Sequence, residues 1–493
     1  WTSEYGAWYD KTDDGNQTRK IKKSGGSVRD AIQPGNWVDF SVQPTVSLWY
    51  RGTENNGFVL FASGFEGTGS IAAGLFRSRE YGTSTDRPKL AITFSGAAIT
   101  WNGNVNGNWN TTSGNWTVGG VTGGLYGDGD HVTFPNGASN PTIAVATAGV
   151  SPASVTINNT STTYTFSGGA IGGSGGLTKS GSGTAILSAA NSYGGTTTVS
   201  EGVLRIRHGG ALGSTGTGTS VASGARLELE NNMAVGAEAL SLNGSGGGLG
   251  ALRHVSGNNS WAGAISLGAT AEIRGDAGAL TLSGPIIGSG HDLTFNAIGA
   301  IHVAGGVTGA GTSLTKSGAG TLTLAADAAH SGSTVIGDGT LALSGTGDLS
   351  ATPSITVAGG ASLDVRSRSG GTWTLRSGQT LRGQGRLHGH VQIAGILQPG
   401  ASVGTLQLER LTWLENGRCD WEIADADGFP GTGHDHLEGA DLDIASSSSN
   451  PFRFNIVSLD STGQPGLASN FDPDTGYRWP VATLTGNLTG FAP

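Results

Sequence analysis

The sequence is short of cysteine, methionine and charge. A single cysteine, Cys419, stands among 493 residues, so no intrachain disulfide is available and stability has to come from packing and hydrogen bonds. That scarcity does not by itself assign a redox compartment. The one methionine is Met233, and the chain opens at Trp1. With neither an initiator methionine nor a signal peptide, it reads as a processed product or an excised fragment. Charged residues make up 13%, about half the usual share. The net charge of −9 favours solubility and argues against nucleic acid as a partner. No apolar run reaches about 18 residues, so no transmembrane helix is expected.

Glycine, by contrast, is abundant, at 88 residues. Without a strict every-third repeat it excludes collagen, and a 36% hydrophobic content argues against wholesale disorder. Lysine, glutamate and glutamine, the good helix formers, are few. What remains is period-two alternation in short runs bounded by glycine, as in Thr184–Leu187 and 220–229, the signature of strands with one buried face. Composition shifts near residue 100. Before it lie Trp1, Trp8, Trp37 and Trp49 and the basic run Arg19, Lys20, Lys22, Lys23; after it the chain thins into Gly, Ser and Thr.

An internal repeat organises the second part. Leu177-Thr178-Lys179-Ser180-Gly181 returns 137 residues later as Leu314-Thr315-Lys316-Ser317-Gly318, and at that offset Thr184 meets Thr321, Leu187 meets Leu324, Gly202 meets Gly339 and Leu204 meets Leu341. Short strands that recur between glycine turns predict a solenoid with coils of roughly 20–25 residues. The expected fold is all-β: a right-handed parallel β-solenoid (β-helix) preceded by a small antiparallel β-sandwich, with a series of β-sandwiches as the alternative. Coils rising about 4.8 Å each would make residues 101–420 a rod of roughly 60–80 Å. Inward Leu, Val and Ile would stack on their own kind, Ser and Thr would dress the outside, and like charges stacked at that spacing would repel, which accounts for their scarcity.

The segment Gly175–Leu204, with Lys179, Asn191, Tyr193, Gly195 and Gly202, resembles the autotransporter-associated β-strand repeat of long bacterial surface and secreted proteins. Ala328 and His330 replace Asn191 and Tyr193 in the second copy. Trp101-Asn-Gly, Asn108-Trp109, Asn115-Trp116 and Gly127–Phe134 look like that family's N-terminal cap. Gly383–Val391, Leu397–Leu406 and Asp435–Gly439 look like its closing coils. Val38–Val42, Asn55–Leu60, Phe76–Glu80 and Asp86–Leu90 are similar to the second half of DNRLRE-type, carbohydrate-binding-like sandwiches. The domain reading is therefore a partial sandwich at 1–97, a cap with first coils at 98–174, a repeat solenoid at 175–420, and closing coils with an incomplete end at 421–493.

Candidate chemistry is sparse. Asp425, Asp427, His434, Asp435, His436, Asp441 and Asp443 form the densest set of carboxylates and imidazoles, which would suit a polysaccharide-cleaving pair or a metal. Asp435 is read instead as a surface turn residue, and His388 and His390 as a solvated pair on one strand face. Asp10–Asn16 spells half a calcium loop but has Ile21 where the closing acid belongs, so it is read as a hairpin turn. Lys179 and Lys316 are expected to flank turns. Gly246–Gly250 lacks the helix a nucleotide loop needs, and Gly172–Gly176 matches the hydrolase elbow only inside a glycine run. Trp37, Trp49 and Phe58 are read as sandwich core. Asn110, Asn115 and Asn487 fit the glycosylation pattern of a surface protein. No catalytic, cofactor or metal residue is assigned. The expected function is a non-enzymatic extracellular or bacterial cell-surface stalk for attachment, matrix or filament architecture. Its partners would be further copies of itself and extracellular polysaccharide; the alternative is a polysaccharide lyase, hydrolase or glycan-binding protein on the same scaffold.

Overall fold

The computed structural model describes residues 96–490, together with the backbone of three short antiparallel strands, Thr2–Glu4, Ala7–Tyr9 and Ile21–Lys22. The rest of the expected sandwich, including Asp10–Asn16, Trp37, Trp49 and Phe58, lies outside the described residues. From residue 96 on, the described residues contain strands, turns and no helix.

The strands stack in parallel, in register, into a β-solenoid with three faces. Face A runs from His131–Pro135 through Ser154–Asn158, Leu177–Ser180 and Thr197–Val199 to Ala328–His330. Face B begins at Asn108–Trp109, which stacks in parallel on Thr142–Val145, and continues to Arg453–Ser458. Face C opens at Ala234–Val235 and continues to Ala482–Leu484. Coils therefore use faces A and B at first, all three in the middle, and B and C at the end. Ala279, Ala300 and Thr321 succeed one another on face C, a coil length of 21 residues that falls inside the expected range.

The inward columns are aliphatic, as alternation requires. Leu280, Ile301, Leu322, Leu341, Leu363 and Leu387 lie one above another on face C, and each is fully buried. Each such side chain contributes about 1.5–3 kcal/mol. Outward positions carry paired charge. Arg205, Glu228 and Arg253 alternate in sign up face B, with ion pairs of 2.6 Å and 3.1 Å. Arg274 follows Arg253 directly, and Asp276 bridges the two at 2.6 Å each.

The repeat copies occupy different faces. Leu177–Ser180 belongs to face A and Thr184–Leu187 to face B. Leu314–Ser317 stacks on Leu293–Ala297, hence on face B, and Thr321–Leu324 lies on face C. Register within each copy is the same: Leu177 pairs with Thr197 as Leu314 pairs with Thr334, and Thr184 with Val203 as Thr321 with Thr340. The unit is thus carried one face around the axis between its two appearances.

An aromatic plug starts the rod. Trp101, Trp109, Trp116, Tyr126 and Phe134 are buried against one another, mostly edge to face, the arrangement ring quadrupoles favour. The hairpin Trp116–Val118 and Val121–Gly124 closes this end, pairing antiparallel with Ala98–Trp101. These tryptophans form a core and offer no exposed ring faces.

Candidate functional site

The clearest constellation is structural, and it corrects the reading of the repeat lysines. Lys179 and Lys316 do stand beside corners, but they are not solvent-facing: both are fully buried. Each sits at an inward position, Lys179 in the column of Ile157 and Val199 and Lys316 in that of Phe295 and Ile336. From there the side chain reaches the corner. Lys179 Nζ donates to the carbonyls of Ser180 (2.8 Å), Gly181 (2.5 Å) and, one coil on, Glu201 (3.2 Å). Lys316 Nζ donates to Ser317 (2.9 Å), Gly318 (2.5 Å) and Asp338 (3.0 Å). Three donors meet three carbonyls, matching the inventory of an ammonium. The corner needs glycine: Gly181 and Gly318 have φ of 71° and 77°, and a Cβ would lie 2.4 Å from Asn159 O or 2.6 Å from Ala297 O. Burial pushes each lysine down to about 8, opposed by the nearby carboxylate of Glu201 or Asp338. The signal was present in the sequence as a lysine kept in both copies where charge is otherwise scarce.

Repeat position 193 shows the same economy. Tyr193 Oη is 2.6 Å from Thr197 Oγ1, and the His330 that replaces it places Nε2 2.9 Å from Thr334 Oγ1. All four are buried. Burial holds His330 down to about 4, so it is neutral near pH 7. Asn191, whose counterpart is Ala328, accepts from Ile171 N–H and donates to Ala211 O in place of an asparagine ladder.

The acidic and imidazole set near residue 435 is also inside. Asp435 is fully buried and not a surface turn residue; its Oδ1 accepts from Gly404 N–H (2.8 Å) and its Oδ2 from Glu422 N–H (2.9 Å). Burial pushes it up to about 8, the two N–H bonds opposing and the Glu422 charge adding. His434 packs on Trp421 and donates to Asp435 O; His436 bonds Pro480 O and Thr483 Oγ1. Asp425 instead accepts from Asn470 on the surface, and Asp441 and Asp443 bond Asn487 and Thr489. Among the described residues no three His, Cys, Asp or Glu side chains converge as metal ligands. Cys419 is buried, and its thiol is held protonated by burial.

His388 and His390 flank a β-bulge, so plain alternation fails between them: Leu387 pairs with Leu408, but His390 with Arg410. They are half-buried and engaged. His388 Nδ1 donates to Glu409 (2.8 Å), and His390 lies between Thr412 and Thr372. Asn115, read as a glycosylation acceptor, is fully buried, with its amide bonded to Asn106 and to the Asn108 carbonyl. The sequence reasoning did not single out a shallow polar groove of about 280 Å³ beside this bulge, lined by Arg386, Gln407, Glu409 and Glu438. Arg386 donates to Gln407 Oε1 at 2.7 Å, and Gln407 to Glu438 at 3.3 Å.

The duplicated corner has counterparts in known proteins. Residues 177–206 and 314–343 match the model of the passenger-associated transport repeat. Their bounds enclose both lysine cages and the glycines that shape them. The chain is also 42% identical over 76 residues, 15% of its length, to the adhesin BmaC autotransporter of Brucella suis biovar 1 (strain 1330). That stretch spans 2% of the relative.

Proposed function

We propose that this chain is a rigid, non-enzymatic stalk of a bacterial cell-surface or extracellular protein, serving attachment. The transport repeats set into a continuous parallel solenoid carry the reading, and the similarity to a stretch of an autotransporter adhesin supports it. Mechanically, stacked coils tied by in-register backbone hydrogen bonds resist bending. A stiff rod holds weak contacts away from the surface, and many copies turn them into avidity. The buried polar groups support a structural role as well, since Asp435 commits both carboxylate oxygens to backbone N–H groups.

A second reading, glycan binding along the rod, is favoured by the outward groove of Arg386, Gln407, Glu409 and Glu438, planar polar side chains suited to sugar hydroxyls. Beads coated with the chain are expected to adhere to cell or matrix surfaces while incubation with alginate or pectin leaves reducing ends at background. New reducing ends or unsaturated products would overturn the non-enzymatic reading. Adhesion lost with Glu409→Ala and Arg386→Ala would place the contact in the groove.

A further inference from the structure

Charge is spread unevenly along the rod. Between residues 349 and 414 stand six arginines, Arg366, Arg368, Arg376, Arg382, Arg386 and Arg410, against two carboxylates, Asp364 and Glu409, an excess of four positive charges in a chain of net −9. In the coils from 203 to 276 each of the five arginines lies within ion-pair distance of a Glu or Asp. Further along, the pairing is incomplete. Asp364 holds Arg366 at 2.7 Å, and the buried Asp348 holds both Arg368 and Arg376. Among the described residues Arg382, Arg386 and Arg410 have no carboxylate within ion-pair distance.

All three are exposed on the side of the rod, next to inward-facing Leu381, Leu387 and Leu411, which are fully buried. Each stands on a strand paired along both edges. Thr380–Gly383 on face B lies between Ser354–Val357 and Ile396–Pro399. Arg386–Ile393 and Thr405–Trp413 are successive strands of face C, with Ser362–Arg368 before them and His436–Ile444 after. Arg382 and Arg386 flank the corner at Gln384, and Arg410 lies one coil on, beyond the bulge. The carboxylates nearby are committed. Glu409 accepts from His388 Nδ1 and Gly389 N–H, and Glu438 accepts from Gln407. Asp441, which follows Arg410 in its column, accepts from Asn487 N–H. Arg382 and Arg386 donate, among the described residues, to neutral oxygens of Thr356 (3.1 Å) and Gln407 (2.7 Å).

We infer that this basic belt binds the carboxylates of an acidic polysaccharide of the polyuronate class, with Arg382, Arg386 and Arg410 selecting the charge. A guanidinium presents a planar fork that matches a carboxylate, and it is less tightly hydrated than an ammonium. One coil step of about 5 Å, and four residues spanning about 13 Å around the corner, separate the three. The anion therefore has to be an extended chain with repeated carboxylates, not a compact ion. The groove beside Arg386 adds Gln407 and Thr485 as partners for hydroxyls and no aromatic side chain, unlike the aromatic anchors of a protein interface. The inference rests on the glycan-binding reading of that groove and adds the class of glycan.

Retention of the full chain on immobilised alginate and polygalacturonate, with neutral dextran and laminarin beside them, tests it. Both polyuronates are expected to hold the chain, less strongly as salt rises, and the neutral polymers to hold it about tenfold more weakly or less. Arg382→Gln, Arg386→Gln and Arg410→Gln combined should weaken polyuronate binding about tenfold or more, with thermal melting unchanged because the three side chains are exposed. Arg382→Lys, Arg386→Lys and Arg410→Lys together keep the charge without the fork and should fall between. Arg207→Gln, which removes one charge outside the belt, should bind as wild type does. Neutral polymers held as tightly as polyuronates would overturn the inference and leave the groove reading standing; retention on none of the four would remove both. Equal retention on polyglutamate would point to an acidic protein and overturn the polysaccharide class. Polyuronate binding unmoved by the arginine variants would overturn the belt.

Discussion

Lys316→Met is the sharpest perturbation, because it leaves the corner its shape and removes only the ammonium. The three carbonyls of Ser317, Gly318 and Asp338 lose a charged donor at 2.5–3.0 Å. Hydrogen bonds to charged groups contribute about 1.5–3 kcal/mol each, or roughly 5–9 kcal/mol together. Against that stands the burial of the charge. Lowering from 10.5 to about 8 corresponds to roughly 3 kcal/mol at about 1.4 kcal/mol per unit. The variant is therefore expected to be about 2–6 kcal/mol less stable. In a solenoid, where each coil contacts its neighbours, the loss should be local. Hydrogen exchange should quicken at the amides of Leu314–Ser317 and Thr334–Ile336 while the aromatic plug keeps its protection. Lys179→Met is expected to match it, since the cages agree despite lying on different faces. The pH dependence is a further check. The folded-state value is below the unfolded one, so the unfolded chain binds more protons between about pH 8 and 10.5, and the lysine's contribution grows as pH rises through that window. The gap between wild type and Lys316→Met should widen there. A variant as stable as wild type, or a gap that narrows with pH, would refute the cage argument.

Asp435 has the opposite sign: its folded value, about 8, lies above the unfolded 3.8, so its contribution is full below pH 4 and is lost as pH rises through 8. Melting followed by Trp421 fluorescence should show the closing coils weakening from pH 5 to 8, and Asp435→Asn should flatten that dependence. Gly181→Ala combines a positive φ with a Cβ 2.4 Å from Asn159 O and should cost clearly more in chemical denaturation than Gly360→Ala, where φ is 85° but nothing lies within 4 Å and about 1–2 kcal/mol is expected. Trp109→Ala, in the fully buried plug, should cost about 3–5 kcal/mol and expose the first coils to limited proteolysis. Equal losses for the two glycines, or a protease-resistant Trp109→Ala, would count against the packing described.

Much of this protein follows from the order of its residues alone. Period-two alternation, glycine at corners and the Leu-Thr-Lys-Ser-Gly echo dictate short parallel strands wound into coils, because few other arrangements bury alternate aliphatics with so little charge and no disulfide. Tertiary structure decided where the polar exceptions go. A lysine beside a Ser-Gly turn reads as solvent-facing, and only the coil above, which brings the Glu201 or Asp338 carbonyl within reach, makes the interior position tenable. Asp435 likewise reads as a turn residue until Gly404, 31 residues away in sequence, supplies its N–H. The face each repeat occupies was also beyond local reading. All faces pair by the same parallel hydrogen bonds, so the motif is satisfied on any of them. Its placement is set by the summed lengths of the corners between, such as the long coil from Leu240 to Ile265.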